Sequence, residues 1–241
     1  MKLLKLGLLL LLLISRFSYA LNPIPGLYGG VILGASKAPD IHFNVVSPID
    51  VLSGPGDITS SVLGNVGGQL GYRVKNLRAE AEFFYNNNPY SHLNIGGVNV
   101  PNSNSLQTSI TLDPLTFEGY TNTYALMFNG FYDFYIPDYT EKWVPYVGLG
   151  VGYEHVENNI IIYNNGSTAP NSAVSEYSNL FAGQAIAGLS YFLTDYTSFN
   201  VDFRYLSAFR STAGATQQSS FQSRSQLYSV NLIFNSAFNL A

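Results

Sequence analysis

The sequence contains no cysteine. Disulfide staples, thiolate metal sites and a lipid-bearing cysteine at a signal junction are therefore excluded. Charge is also scarce: Asp, Glu, Lys and Arg make up 11% of the chain, against 46% hydrophobic residues. Basic residues are the rarer sign. Residues 1–20 read as a cleaved signal, and setting them aside removes Lys2, Lys5 and Arg16. Eight basic residues then face fifteen acidic ones, a net charge of −7. Such a balance offers no basic footprint for nucleic acid. Beyond residue 20 no stretch approaches ~18 consecutive apolar residues, so no membrane-spanning helix is expected. If the chain crosses a bilayer, it crosses as a closed barrel.

The signal reading rests on three features. Lys2 and Lys5 give a positive start, residues 6–14 form an apolar run too short to span hydrocarbon, and Ser18-Tyr19-Ala20 has a small-x-small pattern. Residues 21–241 then form one unit.

Aromatic side chains are abundant, with 18 Tyr, 16 Phe and one Trp, and they fall into a pattern of twos. Tyr124, Leu126, Phe128, Tyr132 and Phe134 share one face of a segment. Thr123, Ala125, Asn129 and Asp133 share the other, with Met127 and Phe131 as apolar exceptions. The alternation resumes after a short connection: Val147, Leu149, Val151 and Tyr153 lie against Gly148, Gly150, Gly152 and Glu154. Successive side chains of a strand point to opposite faces, so this is a hairpin with one continuous apolar face. Six more segments alternate in the same way, including Leu27 to Ala35, Val66 to Val74, Leu77 to Tyr85, Phe181 to Tyr191 (with Ile186 off pattern), Phe199 to Tyr205 and Tyr228 to Phe234.

The connections sort by length. Long ones, read as loops, cover about 36–61, 86–120, 157–178 and 211–224, and they alternate with short turns such as Lys75-Asn76 and Thr194-Asp195. A soluble sandwich could also show one apolar face per strand, but it has no reason to sort its connections. An outer-membrane barrel does. The expected fold is all-β: an eight-stranded antiparallel up-and-down transmembrane β-barrel, with the long loops extracellular and both termini periplasmic.

The small and charged faces then point into the lumen. They carry Arg73, Arg78, Glu80, Glu82, Asp133, Glu154, Asp202 and Arg204. Eight strands enclose room only for side chains, and charges so confined must pair or hydrogen-bond. The expectation is an ion-pair network that plugs the barrel; a gated ion path through rearranging pairs is the alternative. Since acids outnumber bases, some carboxylates should accept hydrogen bonds from Gln69, Gln184, tyrosine or water. Tyr72, Phe134, Trp143, Tyr191 and Phe234, with Tyr85, Tyr153, Phe181 and Tyr205 toward the loop end, read as interfacial girdles.

Other motifs carry less. Gly148, Gly150 and Gly152 lie at intervals of two on one strand face with no helix following, which excludes a phosphate loop. His42, His92 and His155 are scattered, no nucleophile stands beside a base, and a filled lumen admits no substrate, so no enzyme, cofactor or metal site is expected. Asn165-Gly166-Ser167 is a loop signal. Tyr90 and Tyr163 read as loop aromatics that could meet carbohydrate.

Several strands also resemble a known group. Gly71-Tyr72-Arg73 with Arg78-Ala79-Glu80-Ala81-Glu82 resembles the second hairpin of the bacterial outer-membrane surface-antigen family that includes major surface proteins and opacity-like barrels. Asn129-Gly130-Phe131-Tyr132-Asp133-Phe134, followed by Pro145-Tyr146-Val147-Gly148-Leu149-Gly150-Val151-Gly152-Tyr153, is similar to its central hairpin. Gln184-Ala185-Ile186-Ala187-Gly188-Leu189-Ser190-Tyr191 with Asp202-Phe203-Arg204-Tyr205 is similar to its third. The chain departs from outer-membrane barrels that end on an aromatic, because Phe234 and Phe238 are followed by Asn239-Leu240-Ala241. The resemblance implies a surface-exposed antigen with adhesive or weak porin roles. The partners expected are outer-membrane lipid, the outer-membrane assembly machinery and a host or environmental surface ligand met by the loops, with the barrel a monomer.

Overall fold

The computed structural model describes residues 23–45, 54–103, 115–136, 142–164, 170–208 and 226–238. The signal reading at 1–20, the Asn165-Gly166-Ser167 triplet and the connection at 211–224 lie outside the described residues. The strands are β1 (Gly26–Lys37), β2 (Ile41–Val45), β3 (Gly54–Ser60), β4 (Leu63–Val74), β5 (Leu77–Ile95), β6 (Val98–Val100), β7 (Leu115–Asp133), β8 (Trp143–Asn164), β9 (Pro170–Phe192), β10 (Thr197–Ala208) and β11 (Gln226–Ala237).

Eight of these form a ring. In the order β1, β4, β5, β7, β8, β9, β10, β11, each pairs antiparallel with the next, and β11 pairs back to β1. Closure leaves no unpaired edge around the ring. The register puts one parity outward on every strand: Val31, Leu33, Val66, Leu70, Leu126, Phe128, Leu149, Val151, Val201, Phe203, Val230 and Leu232 are all exposed. The other parity is buried and largely polar, including Gln69, Glu82, Asn129, Gln184, Asn200, Asp202 and Asn231. An apolar band around the outside with polar groups within is the reverse of a soluble protein, and it satisfies every backbone group inside hydrocarbon. The fold is an eight-stranded antiparallel up-and-down transmembrane β-barrel.

The short turns and both ends of the described chain share one end of the barrel, called here the near end. Ile24 N–H donates to the Asp195 carbonyl (3.1 Å) and Ala237 N–H to the Tyr196 carbonyl (2.8 Å). At the β4–β5 turn Asn76 Nδ2 ties the neighbouring strand down by donating to the carbonyls of Asp133 (2.8 Å) and Tyr135 (2.7 Å).

The far end departs from the sequence reading. The described parts of the segments read as the loops 36–61, 86–120 and 157–178 are largely strand. β1, β4, β10 and β11 have 12 residues each. β5 and β7 have 19, β8 has 22 and β9 has 23. Half of the ring therefore ends where the apolar band ends, and the other half continues as a tall wall. Beyond Tyr85, β5 alone carries roughly 30 Å of further strand. β4 leaves β5 at Asn86, and β3 takes its place against β5 from Tyr90 onward, with β2 paired outside it. β6 folds back on β5 through Gly96-Gly97, whose φ values of 60° and 84° suit a two-residue turn that needs both central residues left-handed.

The tall wall has its own core. Ile58, Tyr90, Leu93, Ile95, Val100 and Phe117 are buried together, with Leu115, Ile160 and Ile162 packed on them. Tyr90, read from sequence as a loop aromatic, is a buried member of this core.

Candidate functional site

The lumen is filled in layers, because strand periodicity brings every second residue of eight strands to a common interior. The layer nearest the short turns is ionic. Arg78 on β5 donates to Asp133 on β7 through Nε (2.9 Å) and to Glu80 through Nη1 (2.6 Å). Its guanidinium lies 4.5 Å from the Phe131 ring centre and 4.8 Å from that of Tyr146. Arg73 on β4 stands 3.6 Å from the second Asp133 oxygen and 5.1 Å from the Phe192 ring centre. The Tyr28 hydroxyl on β1 donates to Glu80. Two cations thus face two carboxylates, joined across the interior.

The second ionic layer has one cation and two carboxylates. Arg204 on β10 holds Asp202 through Nε (2.9 Å) and Nη2 (3.0 Å), and its Nη1 reaches Glu82 on β5. In the strand ring β5 and β10 are opposite each other, so this bond crosses the lumen. The excess negative charge is met by neutral donors. Asn129 Nδ2 donates to Glu82 (2.8 Å), and the Tyr146 hydroxyl and Asn231 Nδ2 each donate to Asp202 (3.0 Å). Gln69 and Gln184 do not bond the carboxylates directly. Gln184 donates to Asn129 (2.6 Å), which in turn holds Glu82, and Gln69 donates to Asn235 (2.9 Å).

Above the ions sits an apolar layer of Phe84, Ala125, Met127, Ala182, Leu206 and Leu227. Met127, Phe131 and Ile186, off pattern in the sequence, are lumen residues buried in apolar or aromatic packing. The glycines that mimicked a phosphate loop make room for lumen side chains: Phe131, Asn129 and Met127 occupy the space a side chain would need at Gly148, Gly150 and Gly152. Glu154, in register with Ala125, is buried further along the lumen. Among the described residues, the cavity between Arg204, Glu82, Asn65, Phe84 and Leu227 has room for about one water.

All eight charged residues read from sequence as lumen-facing are buried on inward parity; the three arginines and four of the five carboxylates form the two ionic layers, and Glu154 lies apart from them. Tyr28, Asn129, Tyr146 and Asn231 belong to the same network. Their signal was parity: each lies on the inward face of its strand.

Outside, the girdle aromatics occupy two levels. Near the short turns Trp143 packs on Tyr191 (ring centres 4.6 Å apart), Tyr132 on Phe134 (5.2 Å) and Phe199 on Phe234 (5.1 Å), with Tyr72 exposed beside them. Toward the far end Tyr85 packs on Tyr124 (4.9 Å), Tyr153 on Phe181 (5.9 Å) and Tyr205 on Tyr228 (5.1 Å). Residues 143–153 of β8 connect the two levels, the length a tilted strand needs to cross hydrocarbon (about 9–11 residues). Beyond the second level the outer face turns polar, with Asn87, Asn122, Glu157 and Asn179.

The chain is an outer-membrane-type β-barrel.

No family model matches this sequence, and no curated protein matches it. Solved structures similar to it include Neisserial surface protein A, at 13% identity and a TM-score of 0.46, covering 88% of this chain and 97% of that one. The outer membrane protein OprG from Pseudomonas aeruginosa is similar at 10% identity and a TM-score of 0.47, covering 91% and 98%. A major outer membrane protein from Thermus thermophilus is similar at 11% identity and a TM-score of 0.45, covering 87% and 99%. The barrel assignment rests on the closed ring and the inverted polarity described above.

Proposed function

We propose that the protein is a surface barrel of the outer membrane whose working part is the tall wall, held outside the cell, and whose lumen does not conduct. The observation that carries this reading is the distribution of mass and filling. The interior is crossed by the Arg204–Glu82 ion pair and capped by the Phe84–Met127–Leu206–Leu227 layer, while four strands continue beyond the apolar band and fold around their own core. An apolar constriction excludes ions by excluding water. The wall presents polar side chains on an ordered sheet, a surface suited to contact with a ligand or another cell.

Purified protein in a planar bilayer should show no steady conductance; a steady, large current would make the protein a diffusion pore. Orientation has a separate test. The chain lacks cysteine, so an Asn159→Cys variant should react with a membrane-impermeant maleimide on intact cells, and a Lys75→Cys variant only after the outer membrane is opened. The opposite pattern would place the wall in the periplasm. Joining Asn86 to Thr123 through a short turn removes the β5–β7 part of the wall at a paired position. Loss of cell attachment by that variant, with the barrel still folded, supports the adhesive role.

A further inference from the structure

The outer face of the tall wall carries a row of rings at the edge of the apolar band. Tyr85, Tyr124 and His155 stand directly opposite one another across β5, β7 and β8, and His155 faces Asn179 on β9. The ring centres step 4.9 Å from Tyr85 to Tyr124, 6.1 Å to His155 and 6.3 Å on to Tyr177, the last pair stacked at 27°. Tyr177 is 75% exposed. The row is fringed by groups already linked to each other. The Tyr85 hydroxyl and Asn87 Nδ2 both donate to Asn122 Oδ1 (3.0 and 2.7 Å), Asn122 Nδ2 donates to Glu157 (3.4 Å), and His155 Nδ1 lies 2.6 Å from Asn179 Oδ1. Flat rings with amides and a carboxylate at their rim can stack on the C–H faces of a sugar and bond its hydroxyls.

Charge narrows the ligand. Between Arg78 and Lys142, and again between Lys142 and Arg204, the sequence has no lysine or arginine. The four long strands therefore bring no permanent cation to this row, while Glu157 lies within it. Phosphate and sulfate recognition rests on such cations, so the row favours an uncharged sugar. Its height narrows the source. The adjacent row toward the near end, Phe83, Leu126, Tyr153 and Phe181, is the last of the exposed apolar band. Two residues along a strand is about 7 Å, so the rings sit where acyl chains give way to headgroups.

We infer that the Tyr85–Tyr124–His155–Tyr177 row binds the uncharged sugar headgroup of a lipid in the surrounding leaflet, with the acyl chains lying on Phe83, Leu126 and Phe181. The inference rests on the surface-barrel reading only for which leaflet the lipid occupies, and a test in symmetric nanodiscs separates the two.

The full barrel, reconstituted with equal amounts of phosphatidylcholine, phosphatidylglycerol and digalactosyldiacylglycerol, is released into detergent, and the lipid it retains is counted by native mass spectrometry. The wild type should retain the digalactosyl lipid over both phospholipids. Tyr177→Ala, at a side chain too exposed to disturb folding, should reduce that preference roughly two- to tenfold, and Tyr124→Ala by a similar factor. Tyr132→Ala, an exposed ring of the near-end girdle, should leave it unchanged. Equal retention of the three lipids, a preference for phosphatidylglycerol, or equal loss in Tyr132→Ala would overturn the proposal. Soluble raffinose displacing the lipid at millimolar concentration would also overturn it, by showing a site for free glycans.

Discussion

The two halves of β8 obey opposite rules. Along residues 143–153 the outward side chains are Trp143, Val147, Leu149, Val151 and Tyr153, and the inward ones include Gly148, Gly150 and Gly152. Beyond Tyr153 the outward side chains include His155, Glu157 and Asn159, and the inward ones, past the buried Glu154, include Val156, Ile160 and Ile162. Parity is kept while polarity reverses. On β5 the polarity changes as well, but the parity shifts: Arg78, Glu80 and Glu82 point in below, and Tyr90, Leu93 and Ile95 point in above, with Ser91 the extra residue of a bulge opposite Thr59 and Ser60. The solvent outside the strand explains the reversal. Where hydrocarbon surrounds the sheet, apolar side chains face outward and polar ones must satisfy each other within. Where water surrounds it, the hydrophobic effect works in its ordinary direction. The change falls between the row Phe83–Leu126–Tyr153–Phe181 and the row Tyr85–Tyr124–His155 beyond it.

That comparison can be broken most forcefully in the ionic lumen. Arg204→Ala leaves Glu82 and Asp202 without their cation in a site closed to bulk water, and should cost the barrel about 3–5 kcal/mol. A urea titration in lipid, read by gel mobility of the folded form, should show the loss; an unmoved midpoint would remove Arg204 from the structural network. The wall should fail differently. Phe117→Ala empties part of an apolar core and should cost about 3–5 kcal/mol there, yet leave the barrel's midpoint nearly in place. Hydrogen exchange should quicken in β6 and the far part of β5 while amides around Leu149 stay protected. Global destabilisation would mean that the wall and barrel form one cooperative unit. The outward faces should differ too. Leu149→Arg, at a 72% exposed side chain within the apolar band, should cost about 2–4 kcal/mol. Asn159→Arg, on the same face of the same strand, should change stability by no more than about 0.5 kcal/mol.

The reversal also accounts for what was legible in the sequence. The eight barrel strands could be read because each shows apolar and polar residues alternating over a full membrane crossing, and the lumen charges followed from parity alone. The wall was hidden by its outward composition. Asn87, Asn122, Asn159 and Ser175 belong to strands, yet such residues signal loops when counted without their partners. Two local signals were present. Gly96-Gly97 stands between Leu93, Ile95 and Val98, Val100, a hairpin pattern, and Val156, Ile160 and Ile162 continue the alternation of β8 on the opposite face. The apolar layer in the lumen was obscured for the same reason. Met127 and Ile186 broke a pattern that assumed a uniformly polar interior, whereas a narrow barrel packs best when bulky apolar groups fill the space glycine leaves.

The central claim is the polarity reversal at one level of continuous strands, and the absence of native cysteine makes it directly measurable. Single spin labels are placed through Val147→Cys, Leu149→Cys, Val151→Cys, Glu157→Cys and Asn159→Cys, all on the outward face of β8, with the barrel in lipid vesicles. Collision with dissolved oxygen should dominate at 147, 149 and 151, and collision with a water-soluble nickel chelate should dominate at 157 and 159. The crossover should fall between 153 and 157. Oxygen dominance continuing through 159, or chelate access at 149, would contradict the account.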